Sequence, residues 1–234
     1  MTLAESARAR TRAAITSEIV AAARRQLDRY GPAGLSLRGV AREVGMVSSA
    51  VYRYFASRDE LLTALIVESY DSLGAAAEER AAATVGLAPR RRWVEVALSV
   101  RAWAIAHPHD YALLYGTPVP GYRAPEATVV PGVRVSLALV SVVADAAAAG
   151  RLVPRPPLAL SAALRADVAA LRGLVAGFEQ VDEATVVRAL AAWSQLFGLV
   201  SFELFGQTRG AVTAHEDLLV ATAAVQADAI GLAG

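Results

Sequence analysis

The chain has 234 residues and a mass of 24.4 kDa; 55% of its residues are apolar, 19% are charged, the net charge is +1 and the mean hydropathy is +0.40. So few charges among so many apolar residues exclude a mainly disordered chain and leave a packed core in one large domain or two small ones. The absence of cysteine excludes disulfides, thiolate metal sites and a catalytic thiol, and all 23 basic residues are Arg. The longest uncharged run, 189–202, is 14 residues, short of the roughly 18 that a spanning helix needs. No apolar segment follows the first Arg residues as a secretory leader would require. A cytoplasmic protein with no membrane partner is the expectation.

Charge is uneven: residues 1–60 hold 10 Arg against 6 acidic residues, and the remainder holds 13 against 16. A basic first quarter on a near-neutral body suits an anionic partner for that quarter. Strand signals are nearly absent, and long Ala/Leu/Val/Arg segments recur at helical spacing between Gly and Pro clusters. A first helix is expected over 11–30, with Ile15, Ile19, Ala23 and Leu27 on one face and Gly31-Pro32 ending it. Ser36 caps a short helix through Leu37, Val40 and Val44 that stops at Gly45; a third helix follows through Val51 and Phe55. Ser57 opens a long helix to about residue 83, with Asp59 and Glu60 suited to its positive end. Beyond the joint at 84–89, helices are expected near 90–106, 110–115, 126–149, 158–177, 183–205 and 213–230. The fold class is all-α, in a small N-terminal unit over 1–56, a connecting helix and joint over 57–88, and a larger helical unit over 89–234.

The segment 37–54 carries the most specific signal. Two short helices that cross steeply need a small side chain at the crossing, supplied by Ala41, and a turn residue that tolerates positive φ, supplied by Gly45. Val40, Val44, Met46, Val51 and Tyr54 then share a small core with the first helix, and the second helix of the pair is presented to a DNA major groove. Three aromatics and two Arg follow in Tyr52-Arg53-Tyr54-Phe55-Ala56-Ser57-Arg58, a composition suited to core packing and phosphate contact.

Residues 11–62 resemble the N-terminal domain of the TetR/AcrR family of bacterial transcriptional regulators. The resemblance lies in Thr11-Arg12-x-x-Ile15, Tyr30-Gly31, Leu35-Ser36-Leu37-Arg38, Val40-Ala41, Val44-Gly45 and Tyr52-Arg53-Tyr54-Phe55-x-Ser57-Arg58-x-x-Leu61-Leu62. It implies a homodimer that sets two recognition helices into successive major grooves of a palindromic double-stranded operator. It places Val47, Ser48, Ser49, Ala50 and Tyr52 toward the groove. Ser36, Arg38, Tyr52, Arg53 and Arg58 are placed at phosphates, and Arg8, Arg10 and Arg12 in an arm along the minor groove. Members of the family commonly carry Ser-Lys-Gly after the turn; Val47-Ser48-Ser49 stands here, so readout is expected from thymine-methyl contact and Ser hydroxyls.

In the second half, Val186, Leu190, Trp193, Phe197, Val200 and Leu204 are spaced 4-3-4-3-4 and form one apolar stripe. Leu218, Leu219, Val225 and Ile230 follow on the last helix. The resemblance implies an intersubunit four-helix bundle, giving Val186, Leu190, Phe197, Val200, Leu204, Leu218 and Val225 as the dimer seam; packing within one chain would use the same stripe. Trp103, His107, Tyr111, Tyr115, Phe178 and Trp193 offer aromatic walls with a few polar tips for an apolar or aromatic small-molecule effector, or ordinary core. His107-Pro108-His109-Asp110 lacks metal-ligand spacing, because Pro108 breaks the helix between the histidines; a helix end followed by a helix start explains it better. No metal, cofactor or catalytic residue is expected: no phosphate loop, nucleophile elbow or acid–base cluster is present. The function expected is a ligand-responsive transcriptional regulator of the repressor type, not an enzyme.

Overall fold

The computed structural model describes residues 3–234. Ten α-helices make up its regular structure: α1 (Leu3–Tyr30), α2 (Leu37–Glu43), α3 (Ser48–Val51), α4 (Arg58–Ala83), α5 (Pro89–Ala106), α6 (Pro108–Tyr115), α7 (Val129–Ala148), α8 (Ala162–Leu174), α9 (Glu183–Leu204) and α10 (His215–Ile230). Among the described residues β pairing is limited to one isolated bridge, Leu152 to Leu232. The all-α reading therefore holds, and most helices lie within a few residues of their expected limits.

Two differ. Helix α1 begins at Leu3 rather than near residue 11, so Arg8, Arg10 and Arg12 ride on a helix instead of an extended arm. A helix is too wide for a minor groove about 6 Å across. Helix α8 covers 162–174 rather than 158–177, because the Ser161 hydroxyl accepts from the Leu164 amide and caps it there, and Val175 turns to extended backbone at its other end. Two helical stretches, Glu126–Ala148 and Glu183–Leu204, are also long and apolar enough to cross a membrane. The uncharged-run argument misses them because two charges lie inside each, Arg134 and Asp145 in one and Arg188 and Glu203 in the other. Both are packed helices whose apolar faces include the buried Val135, Leu139 and Val142, and Leu196 and Val200.

The chain forms two compact units, one of residues up to Tyr70 with His109–Pro131, the other of Asp71–Pro108 with Gly132–Gly234. This partition cuts inside α4 and returns α6 to the N-terminal unit, unlike the contiguous blocks 1–56, 57–88 and 89–234. In the first unit, Ile19, Ala23 and Leu27 of α1 meet Leu37, Val40 and Ala41 of α2, Val51 of α3, Leu61, Leu62 and Leu65 of α4, and Leu113 of α6. The reason α6 belongs here is polar as well as apolar. Asp110, 4% exposed, accepts from the guanidinium of Arg24 on α1 and from the buried Ser69 hydroxyl on α4 at 2.7 Å. A buried carboxylate requires such partners. Arg24 also reaches Glu68 at 3.2 Å.

In the second unit, α5 buries Trp93, Val96, Val100 and Ala104, three or four residues apart along one face. The Arg101 guanidinium donates two bonds to Glu203 of α9, at 2.7 and 2.8 Å, and one to Glu216 in the first turn of α10 at 2.8 Å, fastening three helices. Helices α4 and α7 approach closely at Gly74, where an added Cβ would stand 2.6 Å from the Arg134 Cβ. The Arg134 side chain straddles that crossing, donating to Asp71 at 2.7 Å and to both Glu78 oxygens at 2.6 and 2.8 Å. These bonds hold the Glu78 carboxyl below its ordinary pKa and raise that of Arg134.

Candidate nucleic-acid interface and an apolar cavity

The helix pair α2–α3 is built by local constraints. The Ser36 hydroxyl accepts from the Gly39 amide at 3.3 Å and caps α2. At the other end Gly45 has φ +70, and the amides of Gly45 and Met46 return to the carbonyls of Arg42 and Ala41. That is a glycine-terminated helix end in which both amides satisfy carbonyls of the last turn. Gly39 lets Gln26 of α1 lie against α2, since an added Cβ would meet its amide nitrogen at 2.8 Å, and Gln26 in turn accepts from the Ser36 amide. Arg25 of α1 and Glu43 of α2 form an ion pair.

This frame buries Val51 and leaves one side of α3 to solvent. Val47 is 69% exposed and Tyr52 47%, and Ser49, Arg53 and Arg38 are exposed with them, while Ser48 and Ala50 are half-buried. A short helix that offers an apolar tip, hydroxyls and a phenol, flanked by Arg, can contact base edges and phosphates together.

Three of the expected DNA contacts, Arg58 and Ser36 at phosphates and Arg12 in the minor-groove arm, do other work in the structure. Arg58 donates to the carbonyls of Pro32 at 2.7 Å and Leu35 at 3.1 Å, tying the start of α4 to the segment before α2. Arg12 donates to the Arg53 carbonyl at 3.2 Å and lies over the Tyr54 ring, 5.1 Å from its centroid. The Ser36 hydroxyl is engaged in its cap. Arg10, Arg38 and Arg53 remain exposed.

The second unit holds a cavity of about 410 Å³, within the range that small-molecule sites occupy. Its walls come from α5 (Trp93), α7 (Val133, Ser136, Leu137, Leu139, Val140), α8 (Leu171, Leu174) with Val175 and Phe178 after it, and α9 (Val186, Ala189, Leu190, Trp193). No charged residue and no histidine lines it.

Of the six residues singled out for an effector, Phe178 and Trp193 line this cavity and four do not. Trp103 and His107 stack on each other at 4.9 Å between centroids, with the Trp103 indole donating to Ser72 at 2.9 Å and His107 ending α5. Tyr111 and Tyr115 belong to α6 in the other unit, where Tyr115 packs against Tyr70 and burial pushes its phenol pKa up. Trp93 is the lining aromatic that sequence reasoning missed. It follows Arg90-Arg91-Arg92, whose charge conceals the apolar face beginning there.

Of the seven residues assigned to a dimer seam, Val186, Phe197 and Val200 are buried within the subunit and Leu190 faces the cavity. Leu204 and Leu218 are half-buried, and Val225 is 66% exposed. Phe202 and Phe205, not in that set, are exposed on the same stretch of chain.

Comparison with known proteins agrees with this architecture. Residues 93–225 match the family model described as tetracyclin repressor-like, C-terminal domain, and residues 19–65 that of bacterial regulatory proteins, tetR family. The HTH-type transcriptional regulator Rv1816 of Mycobacterium tuberculosis is 39% identical over 201 residues, 82% of each chain. Among solved structures, regulatory protein SCO4313 superposes with a TM-score of 0.72 at 33% identity, covering 93% of this chain and 97% of that one. A Rhodococcus sp. RHA1 protein of unknown function gives a TM-score of 0.68 at 27% identity, with 94% and 95% covered.

Proposed function

The chain belongs to the TetR family of bacterial transcriptional regulators, DNA-binding proteins of the helix-turn-helix type and not enzymes, and from that premise we propose that it is a cytoplasmic, ligand-responsive repressor. Two subunits bind a palindromic operator, each setting α3 into a major groove, and a largely apolar small molecule in the α5–α7–α8–α9 cavity alters that binding. The observation that carries this reading is the pairing of two features in one chain. One is an exposed α3 surface of Val47, Ser49, Tyr52 and Arg53 beside Arg38; the other is an uncharged cavity of ligand size.

Readout falls to Val47, Ser48, Ser49, Ala50 and Tyr52, and phosphate contact to Arg10, Arg38 and Arg53. Arg12, Ser36 and Arg58 position these groups. The dimer uses apolar side chains that α9 and α10 leave exposed, namely Phe202 and Val225. Those large apolar side chains are costly to leave in water and are of the kind that a second copy covers. Coupling runs through α4, whose first part belongs to the DNA-binding unit. Its second part is clamped by Arg134 to α7, a wall of the cavity. Half-sites in successive grooves lie about 34–36 Å apart, so a displacement of α4 by a few ångströms costs one of them. No step needs a metal or cofactor.

The test is selection of bound duplexes from a random pool at two salt concentrations. An inverted repeat that persists at the higher salt is the expected result. Recovery only of salt-sensitive DNA without symmetry refutes a dimeric, sequence-specific regulator.

A further inference from the structure

The crevice between the end of α1 and the face of α2 holds a donor that the protein leaves unused. Gln26 and Arg29 of α1, Ser36, and Gly39, Arg42 and Glu43 of α2 line about 390 Å³ there. Gln26 is only 6% exposed. Its carbonyl oxygen accepts from the Ser36 amide at 3.3 Å, which turns Nε2 the other way. That nitrogen donates to no atom among the described residues, yet it is not shut in as the unpartnered Gln226 Nε2 is. Buried polar groups are ordinarily satisfied, so a donor kept unpaired at the wall of an open crevice points outward to a ligand. Gly39 provides the opening, since a Cβ at that position would stand 2.8 Å from the same nitrogen.

Two cations share the crevice. Arg29 and Arg42 are exposed, and neither makes a hydrogen bond or ion pair among the described residues, whereas Glu43 has its charge met by Arg25. The Ser36 hydroxyl, whose oxygen caps α2, keeps its own proton to donate. An amide, a hydroxyl and two guanidinium groups together suit an oxyanion with several acceptor oxygens. In a helix-turn-helix the first helix of the pair crosses the sugar–phosphate backbone while the second enters the groove, and α2 is that first helix. We propose that the crevice takes one phosphate of the DNA backbone, held by the Gln26 amide together with Arg29 and Arg42. The inference rests on the DNA-binding reading and adds a contact made by α1, away from α3 and its flank. Such a contact fixes register and orientation and reads no sequence.

The test uses full-length protein, the duplex recovered by selection and a scrambled duplex of equal length. Arg29→Gln/Arg42→Gln, altered only at exposed positions, keeps the wild-type Tm. It loses affinity for both duplexes by about the same factor, and its salt slope falls by roughly 0.9 per subunit, the value of one phosphate. Single neutral methylphosphonates are then placed along the recovered duplex. One position in each half-site costs the wild type about tenfold, the worth of a charge-assisted hydrogen bond, and costs the double variant less than about twofold. Gln26→Glu keeps the acceptor for Ser36 and sets a negative charge where the donor stood, so it weakens binding to both duplexes at least tenfold. If that buried position does not tolerate the change, the double Arg variant alone decides.

An unchanged salt slope, or methylphosphonate penalties that are the same in both proteins at every position, overturns the proposal and leaves the DNA-binding reading intact. Calorimetric titration with inorganic phosphate, without DNA, covers the other source of the same chemistry. Binding by the wild type that the double variant loses, with the salt slope for DNA unchanged, assigns the crevice to a soluble anion and overturns the DNA contact. A wild type that binds neither duplex at any salt overturns this inference and the DNA-binding reading together.

Discussion

Removing the Asp110 carboxylate tests whether α6 is held to the N-terminal unit by a polar anchor. Asp110→Ala leaves the Ser69 hydroxyl, fully buried, without its acceptor, a loss of about 1–3 kcal/mol for an unsatisfied buried group. It also deprives Arg24 of its closer carboxylate. Breaking a fully buried ion pair costs about 3–5 kcal/mol, but the Arg24 side chain is 30% exposed and keeps Glu68, so solvent screening lowers that part. The combined expectation is about 2–4 kcal/mol. For a chain of this length roughly 1 kcal/mol shifts Tm by about 2–4 °C, so the fall should be near 10 °C by circular dichroism. Asp110→Asn retains an acceptor for Ser69 and should lose about half as much. A double-mutant cycle with Arg24→Ala separates the ionic share, with an expected coupling of about 1 kcal/mol or more. An Asp110→Ala protein melting within about 1 °C of wild type would refute the anchor. Equal losses for the Ala and Asn variants would refute the part given to Ser69.

Four further outcomes follow from the geometry. Arg38→Ala should weaken DNA binding across sequences and reduce the salt slope by roughly one unit with Tm unchanged. Arg58→Ala should lower Tm, because it frees the carbonyls of Pro32 and Leu35; a fall in the salt slope with Tm intact would restore Arg58 to the phosphate contacts. Gly74→Ala drives a Cβ into the Arg134 Cβ on α7 and should destabilise by about 1–3 kcal/mol, measured by urea unfolding; a neutral substitution would mean that α4 and α7 separate freely. Arg134 holds the Glu78 carboxyl below its ordinary pKa. That contribution to stability is therefore complete at neutral pH and is lost as pH falls through the lowered folded-state value. An acid titration followed by circular dichroism should show a shallower loss in Arg134→Gln than in wild type, and identical acid profiles would remove the clamp.

The helix-turn-helix was legible because its determinants are close in sequence. Ser36, Ala41 and Gly45 each fix a local conformation, and the aromatic and Arg residues after α3 identify its flank. The start of α1 was not legible, since residues 3–10 lack an apolar stripe and a cap. Asp110 looked like a helix start and proved to be a buried anchor, with partners 86 and 41 residues away in the chain, a distance no pattern registers. The cavity was half-read for the same reason: Phe178 and Trp193 stood out as aromatics, whereas Trp93, Val133 and Leu171 share a wall only after four helices pack. The stripe on α9 was plain as an apolar face, but spacing cannot say whether it turns toward its own chain. Val186, Phe197 and Val200 turn inward, and the neighbouring Phe202 and Phe205 do not.

The return of residues 109–131 to the N-terminal unit makes the DNA-binding half discontinuous along the chain. A hybrid that joins the N-terminal unit of one such chain to the second unit of another would ordinarily be cut at a single crossover. Here a crossover after Tyr70 would import Arg24 and Ser69 without Asp110, and a core without Leu113. A working hybrid must transplant α6 and the loop after it along with the N-terminal unit, or match them to it. The segment that a genetic exchange would assign to the second unit is thus inherited with the first.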